Sequence, residues 1–398
     1  MQFDKVKVAL IGSGNISYTY LNTLTTQFNI IDMVGCSDLI PEKSKARAEL
    51  FGIRQMTNEE ILNDPEIEIV LNTTEIFNHT AVSKMILEAG KSVYSEKAMG
   101  RNYAEAKANV DLAAAKGVRL GSAPDIYMGA AYQTARKLID DGWIGQPLNA
   151  FAICIRQGWA GNMAAVPSNP MYGGKGNTMP YDMGGYYVNA LVSLLGPVKR
   201  VSGYARSFAD RVYENPVNPQ FLEPVKVNEG SSMMMGCLEH DNGTYSNLIL
   251  CSEGFNPEIP RVEIFGTKGT LVIPDPNCFG GYGLDVYLTR VGNTGTFKVP
   301  FTHAYGDSDP AIPAKSGKRE PCYNSNRGIA VADMAYAIRQ NRPHRSSAEL
   351  ALHTVEIISA IEQCNEDNQV HIMQSHPVQP APLKHGMFGP AAEASLIL

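Results

Sequence analysis

The sequence predicts an α/β protein in two parts: an N-terminal doubly wound parallel sheet, then an α+β domain built on a large, mostly antiparallel open sheet. Three observations carry this expectation. First, short β-rich runs alternate with helical patterns: "KVALIG", "IDMVGCSD", "IEIVLNTT", "SVYSEK" and "VRLGSAP" are separated by stretches such as "PEKSKARAELFG" and "YAEAKANVDLAAAKG". Strand and helix in repeated alternation build a parallel sheet with helical crossovers. Second, "VALIG" and "IEIVLN" are nearly continuous in apolar residues, as strands covered on both faces must be. Third, candidate strands from "LNAFAICIR" to "LDVYLTR" succeed one another with few helices between them, and Asp241-Asn242-Gly243 and Gly266-Thr267-Lys268-Gly269 read as turns.

A chain of 398 residues exceeds what one hydrophobic core usually supports. We expect a first domain at 1–123 and a second at 124–398. Within the second, "TMPYDMGGYYVNALVSLLG" reads as a helix inserted between the first two strands. Two helices, "RGIAVADMAYAIRQ" and "SSAELALHTVEIISAIEQC", come after the sheet; Ser346 and Glu349 have the spacing of a capping box for the latter. The Pro-rich tail "SHPVQPAPLKHGMFGPAAEA" suggests an extended strand and arm.

Composition narrows the function. Lys and Arg number 34 against 40 Asp and Glu, for a net charge of -6, and no basic cluster stands out, so no nucleic-acid partner is expected. No apolar run approaches the roughly 20 residues of a membrane span, and the first residues have no signal-peptide core, so a cytoplasmic protein without a membrane partner is expected. The 7 cysteines are scattered without a C-x-x-C, reading as reduced thiols, and no metal site is expected.

"ALIGSGNIS" places Gly12 and Gly14 after a strand, with Asn15 and Ile16 opening a helix and Ser17 where a third glycine of a dinucleotide fingerprint would stand. The first glycine permits a tight turn, and the second lets the backbone approach a pyrophosphate at the helix N-terminus. Asp38 ends the next strand, 24 positions after Gly14, where an acid binds adenosine ribose hydroxyls and repels the 2′-phosphate of NADP. The first domain is therefore expected to be a Rossmann domain binding NAD, with Thr73 at the end of "IEIVLNTT" in the cofactor set. Glu96 and Lys97 end another parallel strand, at the edge where such sheets bind ligands.

In the inserted helix, Asp182, Tyr186 and Asn189 fall at i, i+4 and i+7 and share a face, while Val188, Leu191 and Leu195 lie on another. Asp182 as an N-terminal cap, with glycines for close packing and tyrosines in the core, is the competing structural reading. "ICIRQGW" ends the first strand of the second domain with Arg156, Gln157 and Trp159, the last a flat apolar surface for stacking, and "FTHAYGDSD" places His303, Tyr305 and Asp307 on a loop. The remaining histidines, 240, 344, 353, 371, 376 and 385, read as structural or exposed.

"NHTAVSKMILEAGKSVYSEKAMG", the Gly loop and "YDMGGYYVNALVSLLGPVKRVSG" together resemble the Gfo/Idh/MocA family of NAD(P)-dependent oxidoreductases over nearly the whole chain. In that family an E-K-P lysine contacts nicotinamide and the substrate hydroxyl, and a D-x-G-x-H-x-x-D helix supplies acid/base groups. The resemblance places Lys97 at the lysine, Asp182 at the first acid, Gly184 at the glycine, Tyr186 at the histidine and Asn189 at the last acid. It also sets His79 near the nicotinamide. Ala98, Tyr186 and Asn189 depart from the motifs' proline, histidine and aspartate. A phenol is a poor base near neutrality unless a cation stabilises it; either Tyr186 beside Lys97, or a Lys97 deprotonated by desolvation, takes the proton.

The resemblance implies oxidation of a sugar hydroxyl on a small-molecule sugar or glycoside, and assembly into a homo-oligomer. "GSAPDIYMGAAYQTARKLIDDG" and D-x-G-x-Y-Y are similar to a bacterial subgroup that includes glycoside 3-dehydrogenases, implying oxidation at C3 of a glucoside. Two alternatives stand beside it: a glycosidase or lyase that oxidises transiently and then eliminates, and a sugar or NAD sensor without turnover.

Overall fold

The computed structural model describes residues 3–155, 178–207, 230–252, 254, 261–281, 283–293, 295–307 and 326–397. The N-terminal elements are β1 (Val6–Ile11), α1 (Asn15–Thr26), β2 (Ile31–Ser37), α2 (Pro41–Phe51), β3 (Arg54–Gln55), α3 (Asn58–Asn63), β4 (Ile69–Asn72), α4 (His79–Glu88), β5 (Ser92–Ser95), α5 (Tyr103–Lys116) and β6 (Leu120–Ser122). The strands form one sheet in the order β3-β2-β1-β4-β5-β6, every pairing parallel. Strand order reverses beside β1, which creates a crevice between the loops after β1 and β4. Register keeps the carboxyl ends level: Ile11 lies opposite both Ser37 and Asn72, and Asn72 opposite Ser95. All four residues of β4 and of β5 are buried, as helices on both faces require.

The second part comprises α6 (Ala130–Asp140), β7 (Pro147–Ile155), α7 (Met179–Leu195), β8 (Val198–Arg206), β9 (Met233–His240), β10 (Tyr245–Cys251), β11 (Arg261–Gly266), β12 (Gly269–Pro274), β13 (Val286–Arg290), β14 (Thr296–Val299), α8 (Ile329–Gln340), α9 (Ala348–Asp367) and β15 (His371–Ile372). Its strands form an open sheet ordered β14-β13-β12-β11-β7-β10-β9-β8-β15. All pairings are antiparallel except β7 with β10. Because β8 opposes β9 and β9 opposes β10, β8 runs parallel to β7, so β7-α7-β8 is a crossover with two strands later filled in between. The crossing helix rests on the sheet and packs against α6 and α9. All 17 of its residues are buried. Close packing explains Gly184, where a Cβ would stand 2.8 Å from Ile358 Cδ1.

Alternation marks the sheet's two faces: Met234, Gly236 and Leu238 of β9 are buried, while Met235 and Cys237 are exposed. Helix α9 packs on α5 and β6 as well as on β8, so it joins the two sheets. Its cap differs from the expected one. Ser347 is the N-cap and accepts from Leu350 N at 3.3 Å, whereas Ser346 Oγ donates to Ser122 O at 2.7 Å. Ser346 is taken up by the sheet contact, which moves the cap one residue on. The tail begins as an edge strand, with β15 against β8, and ends in a 3-10 helix at Gly389–Leu396. Among the described residues no helix is long and apolar enough to cross a membrane.

Candidate active site

The loop after β1 is shaped by Gly12, whose φ of +100 suits glycine; a Cβ there would lie 2.6 Å from Thr73 C and Thr74 N. Thr73 Oγ1 donates to Gly12 O at 2.6 Å, fixing the turn against β4. Gly14 caps α1 without any side-chain hydrogen bond, and a Cβ at Gly14 would meet nothing within 4 Å. The first-turn N–H groups of α1, from exposed Asn15 and half-buried Ile16 onward, thus face open space with no capping side chain. A diphosphate fits there by both hydrogen bonding and dipole. Asp38 holds the adjoining wall: Oδ2 accepts from Ser13 N at 2.7 Å and Oδ1 from Ile40 N at 2.8 Å. Each oxygen keeps a further lone pair for ribose hydroxyls.

Lys97 comes just after the end of β5, and its ammonium is hydrogen-bonded and ion-paired to Asp182 Oδ1 from α7. Burial works against the charge on Lys97, but Asp182, Tyr186 and Glu96 outweigh it and hold the ammonium above its ordinary range. Desolvation therefore does not deprotonate Lys97 here. The capping reading of Asp182 also fails, because Thr178 is the N-cap and Asp182 offers it only a backbone N–H, at 2.9 Å. Tyr186, one turn on, lies under Lys97 with its ring centroid 5.6 Å from Nζ.

Behind this pair lies a buried network. Arg327 Nη2 donates to Tyr186 Oη at 2.8 Å, and Nη1 donates to Glu96 Oε1 at 3.1 Å. Tyr20 Oη, from α1, donates to the same Glu96 oxygen at 2.7 Å, while Glu96 Oε2 accepts from Lys97 N at 3.1 Å. Burial alone would raise the Glu96 pKa, but Arg327, Lys97 and Tyr20 lower it below the usual carboxylate value. Glu96 was expected to face the cofactor; both its oxygens are instead engaged within the protein.

Other expected residues are placed differently. His79 directs Nδ1 to Ala98 O at 3.1 Å and Nε2 to Thr74 O at 2.9 Å, joining the loops after β4 and β5. Burial lowers its pKa, and neither ring nitrogen is left open to nicotinamide. The Lys97-Ala98 peptide is cis. Asn189 Nδ2 donates to Pro124 O at 3.0 Å, and Asn189 Oδ1 accepts from Thr354 Oγ1 at 2.7 Å, so this side chain anchors α7 rather than presenting a free amide to a sugar. His303 is 3% exposed, with Nε2 bonded to Leu383 O and Nδ1 to Thr302 Oγ1, each at 3.0 Å. Burial pushes its pKa down to about 4. It fastens the C-terminal tail and has no nitrogen free for substrate. Asp307 accepts from Phe279 N and Gly280 N. Arg156, Gln157 and Trp159 lie outside the described residues. Among the described residues no three His, Cys, Asp or Glu side chains group as a metal site.

Tyr20 and Arg327 were not anticipated. One signal for Arg327 was present: a cation immediately before an almost wholly apolar helix stands where the helix dipole disfavours positive charge, so it needs a partner elsewhere.

Residues 6–123 match the GFO_IDH_MocA model, described as an oxidoreductase family with an NAD-binding Rossmann fold, and residues 132–272 match the GFO/IDH/MocA C-terminal domain. The chain belongs to the Gfo/Idh/MocA family. It is an NAD-binding oxidoreductase of that family. It is 23% identical over 276 residues to scyllo-inositol 2-dehydrogenase (NAD(+)) of Bacillus subtilis, covering 68% of this chain and 74% of that protein. It is 28% identical over 146 residues to inositol 2-dehydrogenase/D-chiro-inositol 3-dehydrogenase of Lactiplantibacillus plantarum, covering 36% of this chain and 42% of that one. Levoglucosan dehydrogenase in complex with NADH and levoglucosan superposes with a TM-score of 0.74 at 19% identity, over 94% of this chain and 100% of that one, which shows the shared fold.

Proposed function

We propose that this Gfo/Idh/MocA protein oxidises a secondary hydroxyl of a sugar, at C3 of a glucoside, to the 3-keto-glycoside. The observation that carries the reading is the Lys97–Asp182 ion pair, with Tyr186 beside it, at the carboxyl edge of the NAD-binding sheet. Bound NAD would accept the hydride from the hydroxyl carbon. The chain's task is to move the hydroxyl proton. Lys97 resides as an ammonium, so it takes that proton as it passes one of its own to Asp182; in the reverse direction it donates to the keto oxygen. Tyr186 adds a hydroxyl donor to the same oxygen. These contacts strengthen as negative charge grows there, which is what lowers the barrier.

The relatives, inositol dehydrogenases and a levoglucosan dehydrogenase, favour a polyhydroxylated ring as substrate. The C3 assignment rests on the sequence's likeness to the subgroup containing the gut-bacterial enzyme that oxidises the glucose of puerarin, a C-glucoside. A 3-keto group acidifies the C2 proton and so prepares elimination of the aglycone. On this reading residues 1–123 hold NAD and 124–398 hold the sugar. The open face of the second sheet, with Tyr204 (73% exposed) paired to Met235 (41% exposed), mediates self-association.

The test is to incubate the pure protein with NAD and a panel of O- and C-glucosides and inositols, monitoring NADH and identifying the product by NMR. A 3-keto-glucoside with stoichiometric NADH is expected. A keto group at C2 or C4 would remove the C3 assignment, free aglycone would turn the reading to a lyase, and binding without turnover would turn it to a sensor.

A further inference from the structure

Arg327 is the largest of the fully buried side chains among the described residues, and it is a cation that the proton transfer just described does not employ. Its guanidinium spans two targets that matter: Tyr186 Oη on one side and Glu96 Oε1 on the other. Glu96 in turn receives the Lys97 backbone N–H at 3.1 Å. The next residue's backbone is fixed too, since Gly328 N donates to Asp125 Oδ2 at 2.8 Å. One arginine therefore ties the hydroxyl of Tyr186 and the backbone of Lys97 to a shared carboxylate. A point-charge ammonium cannot span both, because only the planar fork presents separated donors in fixed directions.

We propose that Arg327 is a positioning residue for the transfer. A phenol oxygen that accepts from a guanidinium keeps its O–H, and the charge-assisted bond polarises that O–H toward donation. Arg327 thereby makes Tyr186 a donor to the substrate oxygen and sets its distance from Lys97. This inference rests on the sugar-oxidation reading, and its test separates the two.

The experiment compares wild type, Arg327→Lys, Tyr186→Phe and the Arg327→Lys/Tyr186→Phe double variant. In Arg327→Lys, kcat falls roughly tenfold to hundredfold, the range for losing a hydrogen bond to a charged group. NADH affinity and sugar KM stay within about threefold, and the kcat loss disappears in the Tyr186→Phe background. A loss that persists in that background, or that moves KM and NADH affinity together with kcat, overturns the proposal in favour of a purely structural tie. A readout independent of turnover is the ring-carbon NMR resonance of Tyr186 in protein labelled at tyrosine Cζ, assigned by its absence in Tyr186→Phe. It shifts in Arg327→Lys if the bond holds, and an unmoved resonance overturns the proposal. Should wild type oxidise no ring alcohol, the function reading fails, and this resonance still decides whether Arg327 holds the Tyr186 hydroxyl. If Arg327→Lys does not fold, Glu96→Gln/Arg327→Gln removes both charges and carries the same comparisons.

Discussion

Replacing Asp182 by Asn removes the direct counter-charge of a lysine whose side chain is only 18% exposed. At an ordinary contact distance of about 2.8 Å and an effective dielectric near 20, the lost Coulomb attraction is about 6 kcal/mol before desolvation is counted. Breaking a buried pair from one side costs about 3–5 kcal/mol. A ceiling exists, because Lys97 can shed its proton: from the ordinary lysine value of 10.5, neutralisation at pH 7 costs about 5 kcal/mol. Lys97→Met leaves Asp182, 6% exposed, as the stranded charge and should cost a similar amount. The double variant Lys97→Met/Asp182→Asn strands neither, so the singles cannot add; we expect a coupling of about 2–4 kcal/mol. Denaturant unfolding at pH 7 of the four proteins, monitored by circular dichroism, measures it. Additivity within about 0.5 kcal/mol would show that the pair behaves as a solvated contact, and that Asp182 is not what holds Lys97 protonated.

Gly12→Ala drives a Cβ to 2.6 Å from the backbone of Thr73 and Thr74 at a φ of +100, so NADH affinity should drop about tenfold or more in a fluorescence titration. Acid should destabilise the protein through buried His303 and His353 and half-buried His344. Burial pushes His303 and His344 down to about 4 and His353 to about 3, so below the ordinary histidine value of 6.5 the unfolded chain binds protons that the folded one refuses. Stability from these groups is therefore constant above that pH and falls on going from pH 7 to pH 5, on the order of 2 kcal/mol per histidine. An equal or higher denaturation midpoint at pH 5 would contradict this. His303→Asn should lower the unfolding free energy by the roughly 1–3 kcal/mol of a buried polar group left unpaired, without changing sugar KM; a KM effect would return His303 to the substrate.

The parallel half of the molecule was legible because its signals are local: strand runs, a glycine turn and Asp38 are each complete within a few residues. Position at a strand end and helical spacing pointed at Lys97 and Asp182, and the fold brings the two into an ion pair. What escaped was the partner of each polar group. Glu96, His79, Asn189 and His303 were all read as facing ligand, and each is bonded to chain from 5 to 231 positions away. Spacing reports which face a residue occupies and not what the fold later brings against that face. The cap of α9 shows the same limit on a small scale, because β6 claims Ser346 from another domain.

The short link from α7 into β8 has a consequence for how this enzyme can change. The helix ends at Leu195 and β8 begins at Val198, so the register of β8 sets the phase of the helix. One residue inserted between Tyr186 and β8 would rotate the N-terminal part of the helix by about 100° relative to the rest and swing Asp182 and Tyr186 away from Lys97 together. Asp182 and Tyr186 thus form a single inherited part, locked to the architecture through β8.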